Sequence, residues 1–145
     1  MPILLDTNVY LCAMKSQEGA AFFERTFVPA VFRTHLSSIV VEEFYAGALD
    51  GAAVCLVEGY VGALERAGRT VTPTFQGWKD AGRLVAQITR REPGRKAKVQ
   101  QMVNDILLAL GARRIGADLY TFNREDFEFI RRHRPFALKV LRLPR

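Results

Sequence analysis

The sequence predicts an α/β domain built on a largely parallel sheet. Three observations lead there. Short apolar segments alternate with longer stretches of helical spacing, the pattern of strands joined through helices. The short segments run directly into small polar or acidic residues, as strands do when they lead into helix caps. The 145 residues, 49% hydrophobic and 25% charged, suffice to bury one core without disulfides or a structural metal. A single domain, 1–145, is expected.

The elements follow in order along the chain. ILLDT, from Ile3, reads as a short buried strand, followed by short helices over 8–15 and 18–27, with Pro29 ending the second or starting the next turn. THLSS, from Thr34, reads as a second strand entering a helix, with Ser37 or Ser38 as N-cap and Val40, Val41, Phe44 and Ala48 at helical spacing. A helix over 52–66 places Val54, Val57, Tyr60, Val61 and Leu64 on one face, and Gly68 stops it. Thr70 to Thr72 is a short β-branched strand, then Pro73, then a helix over 75–91 with Phe75, Trp78, Leu84, Val85 and Ile88 inward. EPGRK is the clearest loop. A helix over 97–112, closed around Gly111, leads to the strand ADLYTF, the helix NREDFEFIRR and a last strand, ALKVLRL.

Composition narrows the function classes. No apolar run approaches the ~20 residues of a membrane span, and no basic segment precedes a cleavable apolar one, so a cytoplasmic protein is expected. Cys12 and Cys55 lie among apolar or small neighbours without metal-ligand spacing and read as reduced core residues. The net charge of +6 suits a nucleic-acid partner without requiring one. Its distribution is more telling: RREPGRKAK holds Arg90, Arg91, Arg95, Lys96 and Lys98 against Glu92, and Arg131 to Arg145 carries six basic residues and no acid.

In parallel α/β folds ligands gather outside the carboxyl ends of the strands, where Asp6 falls. Read alone, Asp6 fits a helix cap as well as a metal ligand. Glu42 and Glu43 lie in the first half of the helix after the second strand; Glu43 shares a side with Gly47, where a missing side chain leaves room for a ligand. Asp105 interrupts a stretch that is apolar nearly all round, Met102 to Leu110, where an ionised carboxylate is costly unless paired or metal-bound. Asn123 and Asp126 follow directly on a predicted strand and fit an N-cap with acids in the first turn. Together, acids converging in one cleft repel one another, and a divalent cation resolves the conflict. Oxygen ligands without Cys or His suit Mg²⁺ or Mn²⁺, as in phosphodiester cleavage by a metal-activated water.

The order LLDTNVYL, VVEEFYAG, NDILLAL and TFNREDF resembles PIN-domain ribonucleases, and among them VapC-type toxins of VapBC toxin–antitoxin pairs, over about residues 3 to 130. The resemblance implies a three-layer α/β/α sandwich with a central, mostly parallel sheet. It implies a Mg²⁺- or Mn²⁺-dependent endoribonuclease with Asp6, Glu43, Asp105 and Asp126 as catalytic metal ligands, and it favours Glu43 over Glu42. Thr7, Asn8, Asn104 and Asn123 take supporting places; the basic loop from Arg90 to Lys98 is more basic than the pattern requires and reads equally as an RNA contact, an antitoxin-docking surface or solvated charge. The partners implied are an RNA substrate, a cognate VapB-type antitoxin and a second copy of the chain as a homodimer. Competing readings are a PIN nuclease of RNA processing or DNA repair without an antitoxin, and a non-catalytic nucleic-acid-binding PIN domain. A receiver domain is disfavoured because Asp6 is the only acid at the first strand's exit.

Overall fold

A computed structural model describes residues 1–143. Arg145, the last of the C-terminal basic residues, lies outside the described residues. Among these, β1 (Ile3–Leu5), β2 (Thr34–Ser37), β3 (Thr70–Val71), β4 (Asp118–Thr121) and β5 (Leu138–Val140) form one sheet in the order β3-β2-β1-β4-β5. Every pairing is parallel, with Leu4 opposite His35 on one side and Leu119 on the other. The central strand β1 is buried throughout, as a strand covered on both faces must be.

The connections are helical: α1 (Thr7–Lys15), α2 (Gln17–Thr26), α3 (Ser38–Gly47), α4 (Gly51–Arg66), α5 (Phe75–Arg91), α6 (Lys96–Gln100), α7 (Val103–Ile115) and α8 (Arg124–His133). Right-handed crossovers put α1–α4 on one face and α5–α8 on the other. The packing agrees, α1 lying against α2 and α3, and α7 against α5 and α8. Between the faces Leu4, Leu36, Ile88, Ile106, Leu119 and Phe127 are closed off from solvent and make the centre of the core. Since the chain runs from β1 outward to β3 and returns to β4, the topological switch point lies between β1 and β4.

The helix starts follow the side chains read for them. Ser37, not Ser38, caps α3, its hydroxyl accepting from the Ile39 N–H at 3.2 Å. Asp50 caps α4 and Thr74 caps α5 in the same way. Gly19 illustrates a different constraint: a Cβ there would lie 2.0 Å from the Cys12 carbonyl oxygen, so only glycine lets α2 approach α1 this closely. Gly19→Ala is expected to destabilise the fold by about 1–3 kcal/mol through overpacking. A thermal melt checks it, and an unchanged midpoint contradicts it.

Four expectations need correction. The helix foreseen over 97–112 is two helices, broken at Gln101 and Met102, where a tightened turn lets both Val99 and Met102 face the core. Its end is not at Gly111 but at Gly116, which takes the left-handed conformation (φ 67°) that closes a helix. Phe75 and Trp78 do not point inward: they lie on the first turn of α5 at 83% and 54% exposure, and its buried stripe starts only at Ala81, continuing through Leu84 and Ile88. Cys55 is exposed, because α4 turns Val57, Val61 and Leu64 to the core and position 55 falls on the opposite side; Cys12 is half-buried. No helix among the described residues is long and apolar enough to cross a membrane.

Candidate metal centre at the sheet's switch point

Asp6 leaves the end of β1 and donates its backbone N–H to the Tyr120 carbonyl of β4 at 2.9 Å, so its side chain is held at the switch point. It is both cap and candidate ligand. One carboxylate oxygen accepts from the Thr7 N–H (2.8 Å) and the other from the Thr121 hydroxyl (2.7 Å), with the residue 7% exposed. Burial raises the Asp6 carboxyl above its usual range, while those two hydrogen bonds pull it back.

Thr7, Asn8, Glu43, Asn123 and Asp126 join it through a continuous chain of hydrogen bonds, in which Asp105 and Asn104 take no part. The Thr7 hydroxyl donates to Glu43 Oε1 at 3.1 Å, which links α1 to α3. The Asn8 amide donates to Thr121 Oγ1 at 3.2 Å and its oxygen accepts from the Phe122 N–H. Asn123 caps α8 by accepting from the Asp126 N–H, and its amide donates to Asp126 Oδ2 at 3.1 Å. Lys98 Nζ closes the chain on Asp126 Oδ1 at 3.2 Å.

Asp105 occupies the first turn of α7, because the break before Val103 restarts the helix there. The positive end of α7 favours a carboxylate at this place. Even so its carboxyl is pushed up to about 7. Burial is the main cause, followed by the negative charges of Asp6, Asp126 and Glu43, with Lys98 acting against them. Glu43 is raised as well, by desolvation first and then by Asp6 and Glu42, against the bond from Thr7. Acids from the end of β1, α3 and α8 therefore all act on Asp105 of α7, and Asp6 acts on Glu43 as well.

The residues predicted as supports divide. Thr7, Asn8 and Asn123 are members of the hydrogen-bonded chain, whereas Asn104 is exposed and stands outside it. In the basic loop, Arg90, Arg91 and Lys96 are exposed, Arg95 stacks on the Phe129 ring at 5.0 Å, and Lys98 reaches the acids. Thr121 is the residue that sequence reasoning missed. It is fully buried, donates to Asp6 and accepts from both Asn8 and the Asn123 N–H. The signal available was a hydroxyl residue at the last position of a strand two before the Asn of NRED.

Among the described residues no three Asp, Glu, His or Cys side chains are gathered closely enough to close on an ion as they stand. Thr7, Thr121 and Asn123 hold the carboxylates in place instead, and Lys98 pairs with Asp126 from the solvent side. The donor chemistry nevertheless fits a hard divalent cation: oxygens only, mutually repelling, with Asp105 pushed up to about 7 by burial first and by that repulsion second.

No family model matches the chain, and no curated protein does. Solved structures do. A DNA-bound VapBC complex from Salmonella typhimurium aligns at 21% identity and a TM-score of 0.64, covering 97% of this chain and 98% of its counterpart. VapBC2 from Rickettsia felis, bound to a promoter DNA fragment, gives 18% and 0.62 over 98% and 100% of the two chains. FitAcB from Neisseria gonorrhoeae gives 22% and 0.60 over 94% and 95%. The expected identification as a VapC-type toxin is corrected by these results: the matches are to structures described as whole VapBC and FitAB assemblies, and without a family match an identity of 18–22% shows shared fold, not membership of one component's family. The shared fold is PIN-like, an α/β chain with a central parallel sheet flanked by helices, found in chains of toxin–antitoxin complexes.

Proposed function

We propose that this protein is a metal-dependent endoribonuclease kept in check by an antitoxin-type protein partner. The observation that carries the reading is the convergence of Asp6, Glu43, Asp105 and Asp126 at the switch point of a parallel sheet, where such folds bind their ligands. The likeness in fold to chains of VapBC and FitAB complexes supports the partner, and the basic surface supports a polyanionic substrate.

Asp6, Glu43 and Asp105 would hold Mg²⁺ or Mn²⁺, with Asp126 at the periphery. The cation, when bound, supplies charge to stabilise a phosphoryl oxygen and lowers the pKa of water toward neutrality. The chain's own contribution is orientation. Thr121 and the Thr7 N–H fix both oxygens of Asp6, the Thr7 hydroxyl fixes Glu43, and Asn123 fixes Asp126. Rigid ligands preorganise the site, so little reorganisation remains for the reaction itself. Arg90, Arg91, Arg95 and Lys96 would hold flanking phosphates without reading sequence.

The test is cleavage of a mixed-sequence single-stranded RNA by purified protein in Mn²⁺, Mg²⁺ or EDTA, with Asp105→Ala alongside and the new ends mapped in RNA from cells expressing each. Cation-dependent ends made by the wild type and absent with Asp105→Ala are expected. Cleavage that persists in EDTA or in the variant contradicts the proposal.

A further inference from the structure

The basic loop is not free in solvent. Three contacts at matching spacing bind it antiparallel along one stripe of α8. Glu92 Oε2 meets His133 Nε2 at 3.0 Å, Arg95 lies over the Phe129 ring at 5.0 Å, and Lys98 meets Asp126 at 3.2 Å. Positions 126, 129 and 133 share a face of α8, and each takes a partner from 98, 95 and 92 in turn. Val99, beside Lys98, is closed off from solvent and pins the short helix α6 to the core. The loop is therefore a strap whose end delivers one ammonium to the acid cleft.

Lys98 is not needed to hold that strap. Its ion pair is half-exposed, 49% on the lysine side and 17% on Asp126, and such pairs add little to stability. The buried Val99 and the Glu92 and Arg95 contacts set the backbone position without it. The consequence of placing a cation there is electrostatic: Lys98 is the cation that counters the charges acting on Asp105. The lysine side chain is half open to solvent beside the acids, so its ammonium is within reach of an anion that enters there.

We propose that Lys98, carried to the cleft by the 92–98 strap, contacts a non-bridging oxygen of the scissile phosphodiester and stabilises the charge that develops on it. This rests on the nuclease reading and gives the strap a role distinct from general phosphate attraction. One preorganised donor of this kind is worth about 100-fold or more in a shielded site; at this half-open one a loss of about 30-fold in kcat is expected.

The experiment compares wild type, Lys98→Met and Lys98→Arg on one RNA oligonucleotide in Mn²⁺, measuring kcat and KM, with Mn²⁺ affinity and thermal midpoint measured independently of cleavage. Lys98→Met is expected to lose about 30-fold in kcat with KM changed by less than about 3-fold, to bind Mn²⁺ at least as well as wild type, and to be largely rescued by Lys98→Arg. Undiminished cleavage by Lys98→Met overturns the proposal. So does a loss of Mn²⁺ binding in step with activity, or an arginine variant as slow as the methionine one, since either makes Lys98 a support for the carboxylates. A wild type that binds Mn²⁺ and cleaves no RNA overturns the nuclease reading itself, and this inference with it.

Discussion

Replacing Asp6 with Asn is expected to lower cation-dependent RNA cleavage by about 100-fold or more and to cost about 1–2 kcal/mol of stability as well. The two losses have separate causes. The activity loss follows from removing a charge at the centre of the four acids. The stability loss follows from hydrogen-bond accounting at Thr121. Both acceptor positions of that hydroxyl are taken, by the Asn8 amide and the Asn123 N–H, so its proton can go only to Asp6. An amide at position 6 keeps the bond from the Thr7 N–H with its oxygen but presents an NH₂ to Thr121, setting donor against donor in a buried site. Denaturant unfolding and a cleavage assay on the same preparation check both parts. An active Asp6→Asn protein disproves the site assignment, and one of unchanged stability disproves the network.

The second large effect is a dependence of metal-free stability on pH. The Asp105 carboxyl is raised from 3.8 to about 7 in the folded protein. A carboxyl raised on folding contributes stability that is full below its unfolded value and lost as pH rises through its folded one. In EDTA the protein should therefore weaken between about pH 4 and pH 8, by at most about 4 kcal/mol or about 8–16 °C in thermal midpoint. Asp6 and Glu43, also raised, act in the same direction. Asp105→Asn should flatten most of this slope and be more stable than wild type at pH 8. Mn²⁺ should stabilise the wild type more at pH 8 than at pH 5, because protons compete with the ion. Thermal melts at the two pH values, with and without Mn²⁺, decide it; a wild-type midpoint that rises from pH 4 to pH 8 in EDTA contradicts the assignment.

How much of this was legible in the sequence differs by kind of feature. The strand ends were, since ILLDT and YTFN switch abruptly from apolar to polar at the places where β1 and β4 end. The positions of three acids were legible, because Asp6 follows a strand and Asp105 and Asp126 lie in the first turns of helices, whereas Glu43 sits midway along α3. What periodicity could not show was the break at Gln101 and Met102: the apolar residues continue through it, and only packing makes both Val99 and Met102 face inward. That break changes the environment of Asp105. Local pattern equally could not reveal Thr121, whose importance lies in a bond across 115 positions. Nor could it show that α5 leaves Phe75 and Trp78 outside, since nothing in a helical stripe says where its covering neighbour stops. The basic loop was visible as charge; its alignment with α8 was not, because the spacing on two separate segments has meaning only once they are side by side.

The sheet order has a consequence for synthesis. The N-terminal strand is the central one, and one of its two neighbours is β4, paired through Ile3 with Asp118. Contacts this distant in sequence form late. While the ribosome is still making the chain, β1 can pair only with β2, and Asp6 has neither the Tyr120 carbonyl nor the Thr121 hydroxyl to hold it. A nascent chain thus carries dispersed acids and no cleft until residue 126 has emerged. For a protein proposed to cut RNA, and made on a machine built of RNA, the topology itself postpones the moment at which the chain becomes dangerous to its maker.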